Sequence, residues 1–297
     1  MANVLGIDHP LIAVRDIDTM RERYAALGFR MTPVGRHPWG TSTSLAIFRD
    51  CLIELMGVYD ETLIDEKALE GFSFGRAVRD DLKAREGISL CALHSDDAEK
   101  DVATLSARGV ACQGTIAFGR DVTLPDGQAD RTATTLKILA SDDLPRLSNF
   151  ACQQHRRDLV EVPAWMDHPN GCTGYAGVAI LAEREDWPRV RARLAALYGK
   201  TALFETADGF GAQTDNGVFT VLDRAAAAKR YGPIPPEIAG DLGPCYLAME
   251  IAAPDLARVK SFLEHEACRD EGERIVLTDA PRFGNVFLAF VTSAKTA

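Results

Sequence analysis

A chain of 297 residues, 46% hydrophobic and 26% charged, is long enough for two ordinary globular domains and is neither disordered nor fibrous in composition. Its net charge of −10 argues against a nucleic-acid binder, because phosphate binding needs a concentrated basic surface. No apolar run approaches the roughly 20 residues needed to cross a bilayer, and the opening Met1-Ala2-Asn3-Val4-Leu5 lacks the regions of a secretory signal, so a soluble cytoplasmic protein with no membrane partner is expected.

In chain order, Leu5 to Val14 reads as a strand rich in branched residues. Asp16-Ile17-Asp18 then opens a helix with a carboxylate suited to the free N-terminal amides. Ile17, Met20, Tyr24 and Leu27 recur at helical spacing, and Gly28 stops the helix. Strands are expected at Phe29–Val34, Ser42–Arg49 and Cys51–Val58, giving the order βαβββ. The same order returns with a strand at Ile88–Leu93, a helix at Ala98–Arg108 ending on Gly109, and strands near 111–118, 132–140 and 148–155. A third copy runs from Tyr175–Leu181 through a helix at Asp186–Tyr198 to a strand at Val218–Leu222. A fourth runs from Cys245–Ile251 through a helix at Asp255–Glu264 to Asn285–Val291.

The expected fold is therefore α+β, with four βαβββ modules paired into two cupped mixed sheets. The turn-rich His168-Pro169-Asn170-Gly171 suggests a boundary between a domain at 1–168 and one at 169–297. Asp223–Arg230 reads as a helix, and the proline-rich Tyr231–Pro236 as an extended surface run. The seven cysteines stand singly, without a Cys-x-x-Cys, so neither a zinc ribbon nor a disulfide framework is indicated.

Ile7-Asp8-His9-Pro10 through Val14, the helix end Leu27-Gly28-Phe29, Gly35-Arg36-His37-Pro38-Trp39-Gly40-Thr41 and Leu52-Ile53-Glu54-Leu55 together resemble the bacterial glyoxalase-like domain family of the vicinal-oxygen-chelate superfamily. Phe150 to His155 and His168 to Gly171 are similar to that family as well. The chain departs from it at Thr43, where members often carry Asn, and near Ser89, where many enzymes of the superfamily place a metal ligand.

The resemblance implies a metal centre on the first and last strands of paired modules, with His9 and Glu54 as ligands and His155 completing two histidines and a carboxylate. Imidazole and carboxylate suit Fe, Mn, Zn or Ni, and open positions on such an ion can chelate two adjacent substrate oxygens. Glu54 and His37 are the candidates for moving a proton, and Trp39, Thr41 and Gln153 for touching substrate. Isomerase, lyase and dioxygenase chemistry on a small oxygenated molecule all fit this pattern. The alternative is a metal-free binding protein of the bleomycin-resistance kind, in which His9 and Glu54 only hydrogen-bond across neighbouring strands. The second half carries no ligand set, with Ala179 and Met249 where polar groups would be wanted, and is expected to be structural or to form a homodimer.

Overall fold

The computed structural model describes residues 5–240 and 243–292. The first module comprises β1 (Gly6–Ala13), α1 (Ile17–Ala26), β2 (Gly35–Arg36), β3 (Thr41–Ile47) and β4 (Leu52–Val58). After α2 (Phe74–Ala84), the second comprises β5 (Gly87–His94), α3 (Ala98–Ala107), β6 (Gly114–Phe118), a hairpin of β7 (Asp121–Thr123) and β8 (Ala129–Arg131), β9 (Thr134–Leu139) and β10 (Asn149–Gln154). A short α4 (Pro163–Met166) leads to the third module: β11 (Gly174–Leu181), α5 (Trp187–Tyr198), β12 (Leu203–Thr206), β13 (Gly209–Gln213) and β14 (Val218–Leu222). Then come α6 (Arg224–Tyr231), α7 (Pro236–Ala239) and the fourth module of β15 (Cys245–Ala252), α8 (Leu256–Lys260), β16 (Cys268–Asp270), β17 (Arg274–Leu277) and β18 (Phe287–Val291).

The modules pair as their pattern implies. One eight-stranded sheet has the order β2-β3-β4-β1-β5-β10-β9-β6, and the second repeats it as β12-β13-β14-β11-β15-β18-β17-β16. Within each pair the first strands meet antiparallel, β1 on β5 and β11 on β15, while first and last strands of each module run parallel. Local chemistry supports the helices: Asp16 accepts from the Thr19 amide at 3.0 Å and Asp97 from the Lys100 amide at 3.1 Å. No helix of the described residues is long and apolar enough to cross a membrane.

Three expected elements shift. Phe29–Val34 forms only a bridge from Met31 to Ala46, because Phe29 and Met31 turn into the core and Pro33 lacks an amide for a ladder; the strand falls instead at Gly35–Arg36. The α8 helix is half the expected length and continues as turns. The run after Tyr231 is not wholly on the surface, since Gly232 and Pro235 are buried and Pro236 opens α7 at its first turn.

The two sheets stand back to back. Ile7, Ile12, Val14, Ile53 and Leu93 of the first share one core with Val178, Ile180, Met249 and Ile251 of the second. Polar ties cross this core: Tyr175 donates its hydroxyl to the Leu52 carbonyl at 2.9 Å, and the Asn149 amide donates to the Tyr246 hydroxyl at 2.8 Å. Each sheet's other face is a cup, and in each a helix between modules enters it. In the second cup, Ala227 and Tyr231 of α6 pack on Ala179, Leu247 and Phe287, and Glu250 is held by Arg230 at 2.8 Å, Arg274 at 3.1 Å and the Tyr231 hydroxyl at 2.8 Å. That cup is filled by the protein itself. Met249 faces the shared core, so the polar residue of that strand's cup face is Glu250 rather than its neighbour.

In the first cup, Phe74 and Val78 of α2 cover Leu90, Ala92 and Phe150 but leave the ends of β4, β9 and β10 open. The close seat of α2 depends on Gly75, where an added Cβ would lie 2.6 Å from the Ile64 carbonyl oxygen and 2.7 Å from that of Trp39. Gly75→Ala is expected to destabilise the protein by about 1–3 kcal/mol through this backbone clash, although helix propensity alone favours alanine by about 1 kcal/mol. Urea denaturation of the two proteins gives the sign.

Candidate functional site

A break in the β1–β5 ladder builds the centre of the first cup. Ile7 pairs with Leu93, but the next pair is His9 with Ala92, so β1 carries one extra residue, Asp8. Such a bulge re-aims side chains and twists the strand locally. It is clamped from the second half of the chain by Asn216, whose amide accepts from the Ile7 N–H at 2.7 Å and donates to the Ile7 carbonyl at 2.9 Å. The bulge brings the Asp8 carboxylate within 2.6 Å of His9 Nδ1, while His9 Nε2 meets Glu54 Oε2 at 3.0 Å. Thr43, the residue in place of the family's Asn, donates its hydroxyl to Glu54 Oε1 at 2.5 Å. All four side chains are buried.

Charge settles within this chain of contacts. Burial pushes the His9 pKa down, but Asp8 and Glu54 outweigh it and raise the value to about 9. Burial likewise opposes the Glu54 carboxylate, yet His9, His37 and Thr43 lower its pKa to about 2. At neutral pH the pair is therefore imidazolium and carboxylate. The Cys152 thiol beside them is driven well up by burial and by Asp8 and Glu54, which makes it a poor nucleophile.

His37 sits in the same cup in the opposite state. Its ring stacks on Trp39 with centroids 4.8 Å apart, and Nδ1 meets the Thr41 hydroxyl at 3.0 Å. Burial and the neighbouring Arg120 lower its pKa to about 3, so the imidazole is neutral. Nε2 has no hydrogen-bond partner among the described residues. The loop is shaped at Gly40 (φ 78°), where a Cβ would strike the Asp60 carbonyl oxygen at 2.1 Å. Trp39 is buried against Phe74 and Phe118, and its indole N–H has no acceptor among the described residues.

Two spaces adjoin here. A small inner pocket of about 40 Å³ is lined by His9, Glu54, His37, Trp39, Thr134, Phe150, Cys152 and Gln154 among others. An outer cavity of about 920 Å³ opens beyond it, and His37, Leu45, Phe118, Arg120 and Val160 line both.

The structure thus brings His9, Glu54, His37 and Trp39 together, with Thr41 behind His37. It does not bring Gln153 or His155 to them. Strand alternation on β10 turns Phe150, Cys152 and Gln154 into the cup, and so turns Gln153 and His155 away. Gln153 instead accepts from the Ala98 amide at 3.1 Å and donates to the Asp96 carbonyl at 2.7 Å, tying down the start of α3. His155 is exposed and meets the Thr135 hydroxyl at 2.8 Å. The residues that sequence reasoning missed are Gln154, one position along from the choice made, and Arg120, a lone arginine in a loop that no motif singles out. His168 accepts from the Arg30 amide at 3.0 Å and reaches the Ile47 carbonyl at 2.9 Å, an internal tie.

As a resident metal centre the donor set is incomplete. Leu11 opposite Glu54 in the first module corresponds to Ala92 opposite Phe150 in the second, so the counterparts of His9 and Glu54 are Leu90 and Phe150. Both are apolar and buried. Among the described residues no group of three or more His, Cys, Asp or Glu side chains could hold an ion. Two charged donors fall short of the three protein ligands of a catalytic zinc or the facial triad of a non-haem iron.

Paired βαβββ modules forming a cup with a histidine on the first strand and a glutamate on the last define a protein of the vicinal-oxygen-chelate class. Residues 7–198 match the Glyoxalase-like domain family, and the chain belongs to that family. No curated protein matches the chain. Among solved structures it is similar to a hypothetical protein from Staphylococcus aureus (13% identity, TM-score 0.69, covering 97% of this chain and 100% of that one). It is also similar to a mutant of 4-hydroxymandelate synthase from Streptomyces coelicolor (12%, TM-score 0.55, 98% and 93%). A third is the Mn(II)-bound glyoxalase from Novosphingobium aromaticivorans (12%, TM-score 0.52, 99% and 84%). At these identities the likeness is one of fold.

The His9–Glu54 pair has a pH signature. The raised His9 pKa adds stability that is complete below about pH 6.5 and is lost as pH rises through about 9, whereas the lowered Glu54 pKa adds stability complete above 4.5 and lost as pH falls toward 2. Glu54→Leu is therefore expected to cost most between pH 4.5 and 6.5. The cost there should be about 1–3 kcal/mol, from the buried Nε2–H left without its acceptor while Asp8 still holds Nδ1. Denaturation of both proteins across this range should show the gap narrowing as pH passes 9.

Proposed function

We propose that the chain is an enzyme that binds a small oxygenated organic molecule in the first cup and moves a proton on it, in an isomerase or lyase type of reaction, with His37 taking and returning the proton. The observation that carries this reading is His37 itself: a neutral imidazole, oriented by Thr41 and Trp39, with a free Nε2 where the outer cavity meets the inner pocket. A base in that state and place can reach a C–H or O–H of a bound molecule. The cavity volume is that of an ordinary small-molecule site. Glu54 is the weaker candidate, since both its oxygens are engaged and His9 stabilises its charge. His9 and Glu54 instead supply fixed charge beneath the reacting atoms.

A second reading keeps the metal, as Fe, Mn, Zn or Ni on His9 and Glu54, with lyase or dioxygenase chemistry. The meeting of His9 Nε2 and Glu54 Oε2 at 3.0 Å favours it, as does the metal named for the Novosphingobium glyoxalase. Among the described residues no third His, Cys, Asp or Glu joins them, and no step above passes through an ion. The third possibility is binding without chemistry.

The test follows C–H exchange in D2O by proton NMR for a panel of α-hydroxy acids, α-keto acids and aldehydes, with chelator and then with each metal. Under the proton-transfer reading, exchange persists in chelator and His37→Gln lowers its rate by about 10²–10⁴-fold. Exchange only with added metal, abolished by His9→Ala together with metal binding, would replace it by the second reading. Binding without exchange would leave a carrier.

A further inference from the structure

We propose that the outer cavity is a site for an organic anion with an apolar body, and that Arg120 is the residue that clamps its charged group. This deepens the reading of the first cup as a substrate site and rests on it.

The cavity is lined by Arg30, Arg36, Lys67, Arg120 and Arg131 against a single carboxylate, Asp121, in a chain whose net charge is −10. Arg131 is neutralised by Asp121 at 2.5 Å. Arg30, Arg36, Lys67 and Arg120 make no ion pair among the described residues; Lys67 is spent on the Ala117 carbonyl and Arg36 lies over the Tyr59 ring. Arg120 differs from the rest in lying deeper, at the wall common to cavity and inner pocket. Its backbone is fixed by Thr132, whose hydroxyl accepts the Arg120 N–H at 2.9 Å and whose own N–H donates to the Arg120 carbonyl at 2.9 Å. Its guanidinium reaches from the second module to the first, with Nη1 3.3 Å from where a Cβ on Gly35 would stand.

Burial weighs against the Arg120 guanidinium, the Glu54 charge offsets only part of that without an ion pair, and an anion from solution relieves the rest. The forked donors match a carboxylate or a phosphate alike. Clefts lined by one sign of charge also concentrate such ligands. The rest of the lining indicates what the anion carries: Leu45 and Ile47 of β3 with Val160 and Trp165 form an apolar wall.

The probes are benzoate, phenyl phosphate and the neutral benzamide, titrated by NMR or calorimetry at constant ionic strength. At least one anion should bind about tenfold or more tighter than benzamide. Arg120→Gln should abolish that preference while benzamide affinity holds within about twofold, and Arg120→Lys, a point charge without the fork, should restore part of it. Arg131→Gln should leave the preference in place, which separates a clamp from the general field. Benzoate against phenyl phosphate identifies the anion class. The proposal falls if the anions bind no better than benzamide, if no probe binds, or if Arg120→Gln keeps the preference. Anion preference with no C–H exchange in the same unmodified protein would leave the clamp standing without the proton-transfer reading, and exchange without anion preference the reverse, so the two are read separately.

Discussion

A carboxylate and an imidazole set into the apolar floor of a sheet stay charged by standing against one another with a second carboxylate behind the imidazole, and the arrangement of the first cup follows from that constraint. Glu54 lies between Ile53 and Leu55, both fully buried. Alone there it would take up a proton rather than bear the desolvation of its charge. His9 removes the need, but a regular β1 would point Asp8 away from the His9 ring. The bulge supplies the second carboxylate, and Asn216 holds the bulge open from the other half of the molecule. The second half therefore acts on the site through a backbone clamp and without lining it.

The two halves show the same architecture used in two ways. In each, a helix inserted between modules closes over the cup and a glutamate sits on its floor. In the second cup Glu250 is answered by two arginines and a tyrosine of the chain itself, which fill the space. In the first cup Glu54 is answered by one small imidazole and a hydroxyl, and a cavity remains. The difference lies in the size of the cation: a long guanidinium swings in and closes the cup, whereas an imidazole fixed on the neighbouring strand cannot.

The modules were legible because period-2 and period-3.6 patterns, capping carboxylates and stop glycines are local, and local rules survive into the fold. His9 and Glu54 were legible for the same reason, as polar residues inside apolar strands. The face of β10 was not. Both faces of that strand are covered, one by the cup and the other by α3, so alternation separates Gln153 from Gln154 without saying which looks inward. The choice made from sequence put Gln153 and His155 in the cup; the fold puts Gln154 there. Arg120 was illegible in a stronger sense. Its position depends on a hairpin of two three-residue strands and on a reach across to Gly35, neither of which leaves a periodic trace. The bulge at Asp8 is invisible too, since an extra residue on one strand shows only against its partner.

Arg120 and His37 also act on one another, and this joins the proposed anion site to the proposed base. His37 is held neutral by burial first and by the Arg120 charge second. Burial is a fixed property of the loop, but the charge is not. An anion seated on Arg120 cancels the repulsion that a protonated His37 would feel, so the imidazole becomes more basic when a ligand of the right charge is bound. A neutral molecule of the same shape leaves it a weak base. Discrimination between ligands would then reside in the rate of proton transfer as well as in affinity, because only interactions that favour the charged, proton-bearing state lower its barrier. On the proposed reading the apolar wall decides what fits and the guanidinium what activates, while the His9–Glu54 pair beneath them holds the floor of the cup in one ionic state.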